Sequence, residues 1–372
     1  MKIRKILFQD PYYHTIKQDP FQPLTSGKIA ARLSFLKEVA EGRYKMENLE
    51  QCLCRNDEVD ILATTDRYLF PQTVLICPSC GLIMNSPRLD DKSYDLYYKS
   101  GLCSETSVSY NRYLTNVPEY VSNPYYKKVL KLVEKSKIRI DKDWNILDIG
   151  TGNGSLLYNF LQDGFKNLQG IEPERQACET AKSFGINVHE GTIDDFTPKQ
   201  PYDLLIFINA LNHLNNPLQV LRKLREGFLK PGGLIYIGQI GPLNPREYFW
   251  MRTIFRVIKV AHPYNYHVLT LNMLLEASGF KTLAFNESVE GLYRIDPKSK
   301  FEIVPSTEAY RAIIKDLENM NELRTKRWYK ILKSTYHLWF PIWEKLIETT
   351  KKIGLYTLLR GPWRYFLKFF SS

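Results

Sequence analysis

Residues Ile146-Leu147-Asp148-Ile149-Gly150-Thr151-Gly152-Asn153-Gly154 run an apolar strand straight into three alternating glycines. Glycine carries no Cβ and takes positive φ readily, so a small ligand can lie against bare backbone here. Asp148 then sits at the carboxyl end of the strand, where open α/β sheets hold their ligands. A dinucleotide fingerprint wants its third glycine three residues after the second, but that place is Ser155 and the glycine comes one earlier, which leans away from NAD. A second chemistry is set by four cysteines. Cys52 and Cys54, then Cys77 and Cys80, form two close pairs 22 residues apart, the arrangement of a tetrahedral zinc site with all positions taken by thiolate and therefore structural. The alternative is reduced cysteines packed as small apolar side chains. His213 and His267 are the side chains best placed in sequence to accept a proton near neutral pH.

The glycine turn resembles motif I of class I S-adenosylmethionine-dependent methyltransferases, and further segments continue the resemblance in order. Gln169-Gly170-Ile171-Glu172-Pro173 is similar to the end of that family's second strand, which implies that Glu172 binds both ribose hydroxyls, with Pro173 beside it. Glu190 to Phe196 resembles the loop along the adenine, with Ile193 as ring contact and Asp194 as the acidic residue. Tyr202 to Asn209 reads as the fourth strand, and Asn209 joins Asp148, Gly150, Thr151, Gly152 and Gly154 as an implied cofactor contact. Leu211 to Pro217 resembles a Leu-Glu-His-(hydrophobic)-x-x-Pro segment of small-molecule methyltransferases, with Asn212 where the family usually has Glu. Leu229 to Ile237 and Ser278-Gly279-Phe280 match later turns, so the resemblance spans about residues 125 to 295. It implies a Rossmann-like sheet of seven strands, an α/β fold.

Cys77-Pro78-Ser79-Cys80-Gly81-Leu82, Asn85-Ser86-Pro87-Arg88 and Tyr97-Tyr98 resemble a signature of bacterial methyltransferases with an amino-terminal zinc-binding module. That group is associated with sugar or cell-surface glycan modification, which implies a small-molecule or glycan acceptor in polysaccharide biosynthesis. Related carbon-methylating enzymes carry His-Glu-His-x-x-Tyr after the fifth strand. Here the region reads His262-Pro263-Tyr264-Asn265-Tyr266-His267, lacking the Glu, which favours methylation of a hydroxyl. A hydroxyl needs a base; His213 or His267 would serve, unless the first closes over the cofactor and the second caps the helix that follows.

These residues need elements to position them. Patterning predicts helices at Lys28 to Glu41, amphipathic through Ile29, Leu33, Leu36 and Val39, at Tyr125 to Lys137, and at Leu271 to Ser278, with a strand at Thr73 to Ile76 leading into the second cysteine pair. The expected division is a helical segment over residues 1–45, a zinc-binding module over 46–100, the methyltransferase domain over 101–296 and a basic, aromatic extension over 297–372. Cys103 and Cys178 read as buried or idle thiols.

The chain has 372 residues and a net charge of +11, enough length for two or three domains. Its amino-terminal apolar stretch is cut short by Asp10 and Pro11, unlike a signal peptide, so a cytoplasmic location is expected. From Tyr310 onward thirteen Lys and Arg face five Asp and Glu, giving +8 of the total, with Trp328, Trp339, Trp343 and Trp363 among them. Helical spacing at Arg324 to Lys333 and Tyr336 to Lys352 suits either peripheral contact with an anionic inner-membrane surface or packing on the catalytic domain or a second subunit, leaving a homo-oligomer open. Charge confined to a tail does not flank a pocket, and the segment after strand four lacks the Asn/Asp-Pro-Pro-aromatic motif, so nucleic acid is not the expected acceptor. Asn212 and the incomplete histidine segment also motivate a non-catalytic, cofactor-binding scaffold.

Overall fold

A computed structural model describes residues 1–8, 26–99, 123–239, 258–286, 288–299 and 301–325. The tail segments Arg324 to Lys333 (beyond Thr325) and Tyr336 to Lys352, the four tail tryptophans and Cys103 lie outside the described residues.

The amino-terminal region is built on β1 (Lys2–Ile6), α1 (Ser26–Ala40), β2 (Met46–Glu47), β3 (Glu58–Thr65), β4 (Pro71–Ile76), β5 (Ile83–Asn85), β6 (Arg88–Leu89) and α2 (Asp91–Lys99). After α3 (Pro124–Lys135), strands and helices alternate: β7 (Asn145–Ile149), α4 (Ser155–Gln162), β8 (Asn167–Glu172), α5 (Arg175–Ser183), β9 (Val188–Glu190), β10 (Tyr202–Ile208), α6 (Pro217–Gly227) and β11 (Leu229–Gly238). The described chain resumes before β12 (Tyr264–Asn265) and continues through α7 (Val268–Ala277), β13 (Phe280–Asn286), β14 (Glu290–Ile295) and α8 (Thr307–Thr325).

The seven-stranded sheet runs β13-β14-β11-β10-β7-β8-β9, parallel from β11 to β9 and antiparallel at β14. Its central strands are apolar on both faces because helices cover both. Leu205, Phe207, Ile235 and Ile237 enter one core with α6 and α7, while Leu204, Ile206, Leu234 and Tyr236 enter another with α3 and α4. The strand reversal at β7 puts the glycine turn at the switch point, where a crevice opens beyond the carboxyl ends.

A second sheet of five strands runs β1-β3-β4-β5-β12. It crosses the division expected from sequence, taking β1 from residues 1–45 and β12 from the segment after β11. Its core is also shared: Cys52, Val59, Leu75, Cys77, Cys80, Leu82 and Met84 pack in the same cluster as Leu211, Ile237, Tyr264, Tyr266 and Leu271. On the opposite face, α8 lays Ile313, Leu317 and Met320 against Leu62, Val74, Ile76 and Ile83, and its Tyr310 hydroxyl donates to Asp60 Oδ2 at 2.6 Å. The start of the carboxyl-terminal extension thus packs on the module.

Helix α1 forms within one or two residues of the predicted span, but only half of the predicted stripe, Leu36 and Val39, packs on the core. Ile29 and Leu33 are exposed, whereas Ala31 and Phe35 are buried among the rings of Tyr44, Phe70 and Tyr97. Aromatic edge-to-face packing around Phe35 outweighs the aliphatic stripe that periodicity favours. None of the described helices is long and apolar enough to cross a membrane.

Candidate active site and cysteine cluster

Strand β7 is buried throughout and delivers Asp148 to the crevice at 2% exposure. The Thr151 hydroxyl donates to Asp148 Oδ2 at 2.8 Å, while Oδ1 is buried without a partner. Burial raises the Asp148 carboxyl to about 7; Thr151 opposes the shift and the nearby Glu172 charge adds to it. A buried, half-satisfied carboxyl is costly unless something outside the protein completes it.

The glycines divide two tasks. Gly150 has φ 75°, and a Cβ there would meet Ala210 Cβ at 2.9 Å, so the protein itself requires it. Gly152 has φ 57°, yet a Cβ on it would meet nothing within 4 Å; its bare face looks into open space. Gly154 closes the turn as the left-handed cap of α4. Glu172, at the end of β8, is buried, accepts the Gly152 N–H through Oε2 at 2.9 Å and accepts the Glu174 N–H through Oε1 at 3.0 Å. Pro173 follows it in the same turn. Glycine turn and carboxylate are therefore one preorganised unit.

Ile193 is buried and Asp194 exposed, with Lys223 of α6 bonding both the Ile193 carbonyl at 3.2 Å and Asp194 Oδ1 at 2.8 Å. Asn209, just past β10, takes φ 53°, a strained value for a residue with a side chain, and its N–H donates to the Gly238 carbonyl. The short 3₁₀ turn Leu211–His213 follows. Asn212 is buried in it with Oδ1 unpartnered.

The two histidines are held differently. His213 Nδ1 lies 3.0 Å from the Ala261 carbonyl, and its ring meets His262 edge-on at 4.7 Å. Burial and then the charge of Lys259 lower its pKa to about 4, outweighing the carbonyls of Ala261 and Asn209, so the ring is neutral at pH 7. His267 caps α7: Nδ1 accepts the Leu269 N–H at 3.2 Å, and Thr270 Oγ1 accepts the His267 N–H at 3.0 Å. Its Nε2 lies 3.7 Å from Asp316 of α8, and burial lowers its pKa to about 4. His213 therefore stays with the crevice-side turn, while His267 is engaged with its helix and with α8.

The four cysteines meet. Their sulfurs lie within 4.8 Å of one another, with Cys52 to Cys80 and Cys54 to Cys77 each at 3.6 Å. Thiolates at 2.3 Å from a tetrahedral zinc stand about 3.8 Å apart, so the donor set and spacing fit that ion. Hydrogen bonds from Cys52, Cys54 and Cys80 hold the Cys77 thiol well below its ordinary range. The single-residue spacing of Cys52 and Cys54 is accommodated by Arg55 at φ 67°, with the Cys52 N–H donating to Asn56. Cys178 is buried and donates to the Glu172 carbonyl at 3.1 Å.

The sequence alone did not single out Arg88 as a bridge or Asp66 as an anchor. Arg88 is buried and bonds Glu47, Asn215 and Tyr264, while Asp66 accepts the N–H groups of Tyr68, Phe70 and Val260. An arginine after Pro and an aspartate before a turn look like surface residues in sequence; their partners lie up to 194 residues away.

Residues 115–284 match the model of a methyltransferase domain family, a stretch that holds the five parallel strands β7 to β11 and the crevice. The chain carries a methyltransferase domain. Curated proteins similar to it include a ribosomal protein L11 methyltransferase of Shewanella pealeana, 34% identical over 96 residues, covering 24% of this chain and 32% of that protein. A ubiquinone biosynthesis O-methyltransferase of Rickettsia felis is 29% identical over 101 residues, covering 26% and 41%. This chain thus spans between about a third and two fifths of the length of these relatives. Among solved structures, a SAM-dependent methyltransferase from Aquifex aeolicus aligns with 16% identity and a TM-score of 0.38, covering 50% of this chain and 96% of that one. Within the methyltransferase domain, the matched residues include Asp148, the glycine turn, Glu172, Ile193, Asp194, Asn209, His213 and His267, and exclude the four cysteines.

Proposed function

We propose that this chain transfers the methyl group of S-adenosylmethionine to a hydroxyl of a small-molecule or glycan acceptor. The observation that carries the reading is the buried, unpartnered Oδ1 of Asp148 beside the open face of Gly152. A carboxylate oxygen with no protein partner suits the cationic methionine end of that cofactor, bare backbone suits close approach, and Glu172 can exchange its backbone bonds for ribose hydroxyls. When bound, the cofactor supplies a methyl on positively charged sulfur. The protein's share is alignment and water exclusion, which an in-line transfer mainly needs. His213 is the remaining candidate base: neutral at pH 7, it is ready to accept a proton, although a pKa near 4 makes it a weak base. His267 is assigned to capping. The four cysteines would hold one structural zinc, bracing the first knuckle against the hairpin of β4 and β5.

Formation of S-adenosylhomocysteine with a panel of nucleotide-linked sugars and glycan acceptors tests the reading. A purified chain that binds neither S-adenosylmethionine nor its product would sink it. A non-catalytic, cofactor-binding scaffold is favoured by one observation, that both histidines are lowered to about 4 and engaged with neighbours. Binding without turnover across the panel would support that alternative.

A further inference from the structure

We propose that Arg88 is a positioning residue for methyl transfer: from the cysteine-bearing module it sets the spacing of two segments that border the acceptor end of the crevice. Where that end lies rests on the cofactor reading above. Arg88 is 6% exposed, and its guanidinium reaches three parts of the chain. Nη1 donates to the Asn215 carbonyl at 2.9 Å and to the Tyr264 hydroxyl at 3.1 Å, while Nε and Nη2 each reach Glu47 Oε1 at 2.8 Å. The same guanidinium lies 5.7 Å from the centre of the Tyr264 ring.

Asn215 is two residues beyond His213, and Tyr264 is three beyond Ala261, whose carbonyl faces His213 Nδ1. Arg88 therefore joins the loop after β10 to the segment that enters α7, and those segments meet again at His213 and Ala261. Other module residues hold each side separately. Asn215 Nδ2 donates to the Leu89 carbonyl and to Asp91 Oδ1. Asn85 donates through its backbone to the Pro263 carbonyl and through its side chain to the Lys259 carbonyl, and β12 pairs with β5. Only a planar, multi-donor fork can span the gap while also pairing with Glu47; a lysine ammonium is a point charge. The cofactor end is bonded within itself, through Gly152 to Glu172 and Thr151 to Asp148. The two ends of one crevice thus have separate supports.

Hydrogen exchange on the full chain, wild type against Arg88→Met and Arg88→Lys, reads the proposal without a known acceptor. S-adenosylhomocysteine calorimetry and zinc content are measured alongside. Exchange at residues 211–217 and 258–265 should rise on the order of tenfold or more in Arg88→Met, with residues 145–154 and product affinity within about twofold of wild type. Arg88→Lys should recover part of the protection, since it keeps the charge and loses the fork. It also keeps the test open if Arg88→Met does not fold. The proposal is overturned if neither variant changes exchange at the two segments, or if exchange rises equally at 145–154, which would make Arg88 a general support of the fold. Wild-type protein that fails to bind S-adenosylhomocysteine would defeat the cofactor reading instead, and the exchange pattern would still report on Arg88.

Discussion

Replacing Asp148 with asparagine should stabilise the empty protein at high pH while weakening its hold on the cofactor. Burial raises this carboxyl from 3.8 to about 7, so the folded chain binds the proton more tightly than the unfolded chain does. As pH rises from 4 to 7 the unfolded chain has already released that proton and the folded chain has not, so stability falls, then levels off above about 7. At 1.36 kcal/mol per pH unit, keeping Asp148 costs on the order of 4 kcal/mol at pH 8 and about 1.6 kcal/mol at pH 5. Asparagine has no charge to desolvate, but it turns an amide N–H toward the space where Oδ1 has no partner, at about 1–3 kcal/mol. Asp148→Asn should therefore be more stable than wild type by about 1–3 kcal/mol at pH 8 and near neutral in effect at pH 5. The gap between the two pH values, about 2–3 kcal/mol, does not depend on what the amide costs. Urea denaturation of both proteins at both pH values measures it. In calorimetry, wild-type affinity for S-adenosylmethionine should strengthen as pH rises through about 7, and the variant should bind weakly with little pH dependence. An identical stability difference at pH 5 and pH 8 would refute the assignment of a raised, buried carboxyl.

The remaining expectations concern the glycines, the cysteines and the histidines. Gly152→Ala should lose about 1–2 kcal/mol from its left-handed backbone, stay folded and bind cofactor at least about tenfold more weakly, whereas Gly150→Ala should lose more stability through its contact with Ala210. Circular dichroism melts together with calorimetry separate the two. Elemental analysis after gel filtration should find about one zinc per chain, lost in Cys80→Ser, and a folded, metal-free wild type would remove the zinc assignment. His267→Ala should cost about 1 kcal/mol and His267→Asn much less, as for a helix cap; a loss of turnover with unchanged stability would instead make it catalytic. If His213 is the base, turnover at saturating S-adenosylmethionine should stay level from pH 8 down to about 5 and fall toward 4, and a limb near 6.5 that survives saturation would point to another group.

The glycine turn was legible because its constraints are local. Three alternating glycines after an apolar strand state a backbone requirement that no other residue meets cheaply, and all three do take positive φ. The close cysteine pairs were legible for a similar reason, since short spacing already brings thiols together. What the sequence concealed was long-range. Strand β1 carries Lys2, Arg4 and Lys5 on an exposed edge, which has none of the alternation that marks a half-buried strand. Strand β12 is two residues long, too short for any period. Arg88 and Asp66 reveal themselves only when partners from distant segments arrive, and Phe35 shows its buried side only against rings from three other segments.

The pairing of β12 with β5 also bears on how the chain is made. Met84 pairs with Tyr264, so synthesis must continue for 180 residues before this sheet edge can be closed. At ordinary elongation rates that is roughly 10 to 40 s during which a nascent chain presents an unpaired, apolar strand edge. The burial of α8 on the same sheet comes later still. Fragments ending before residue 264 should therefore tend to aggregate, which light scattering of purified fragments would measure.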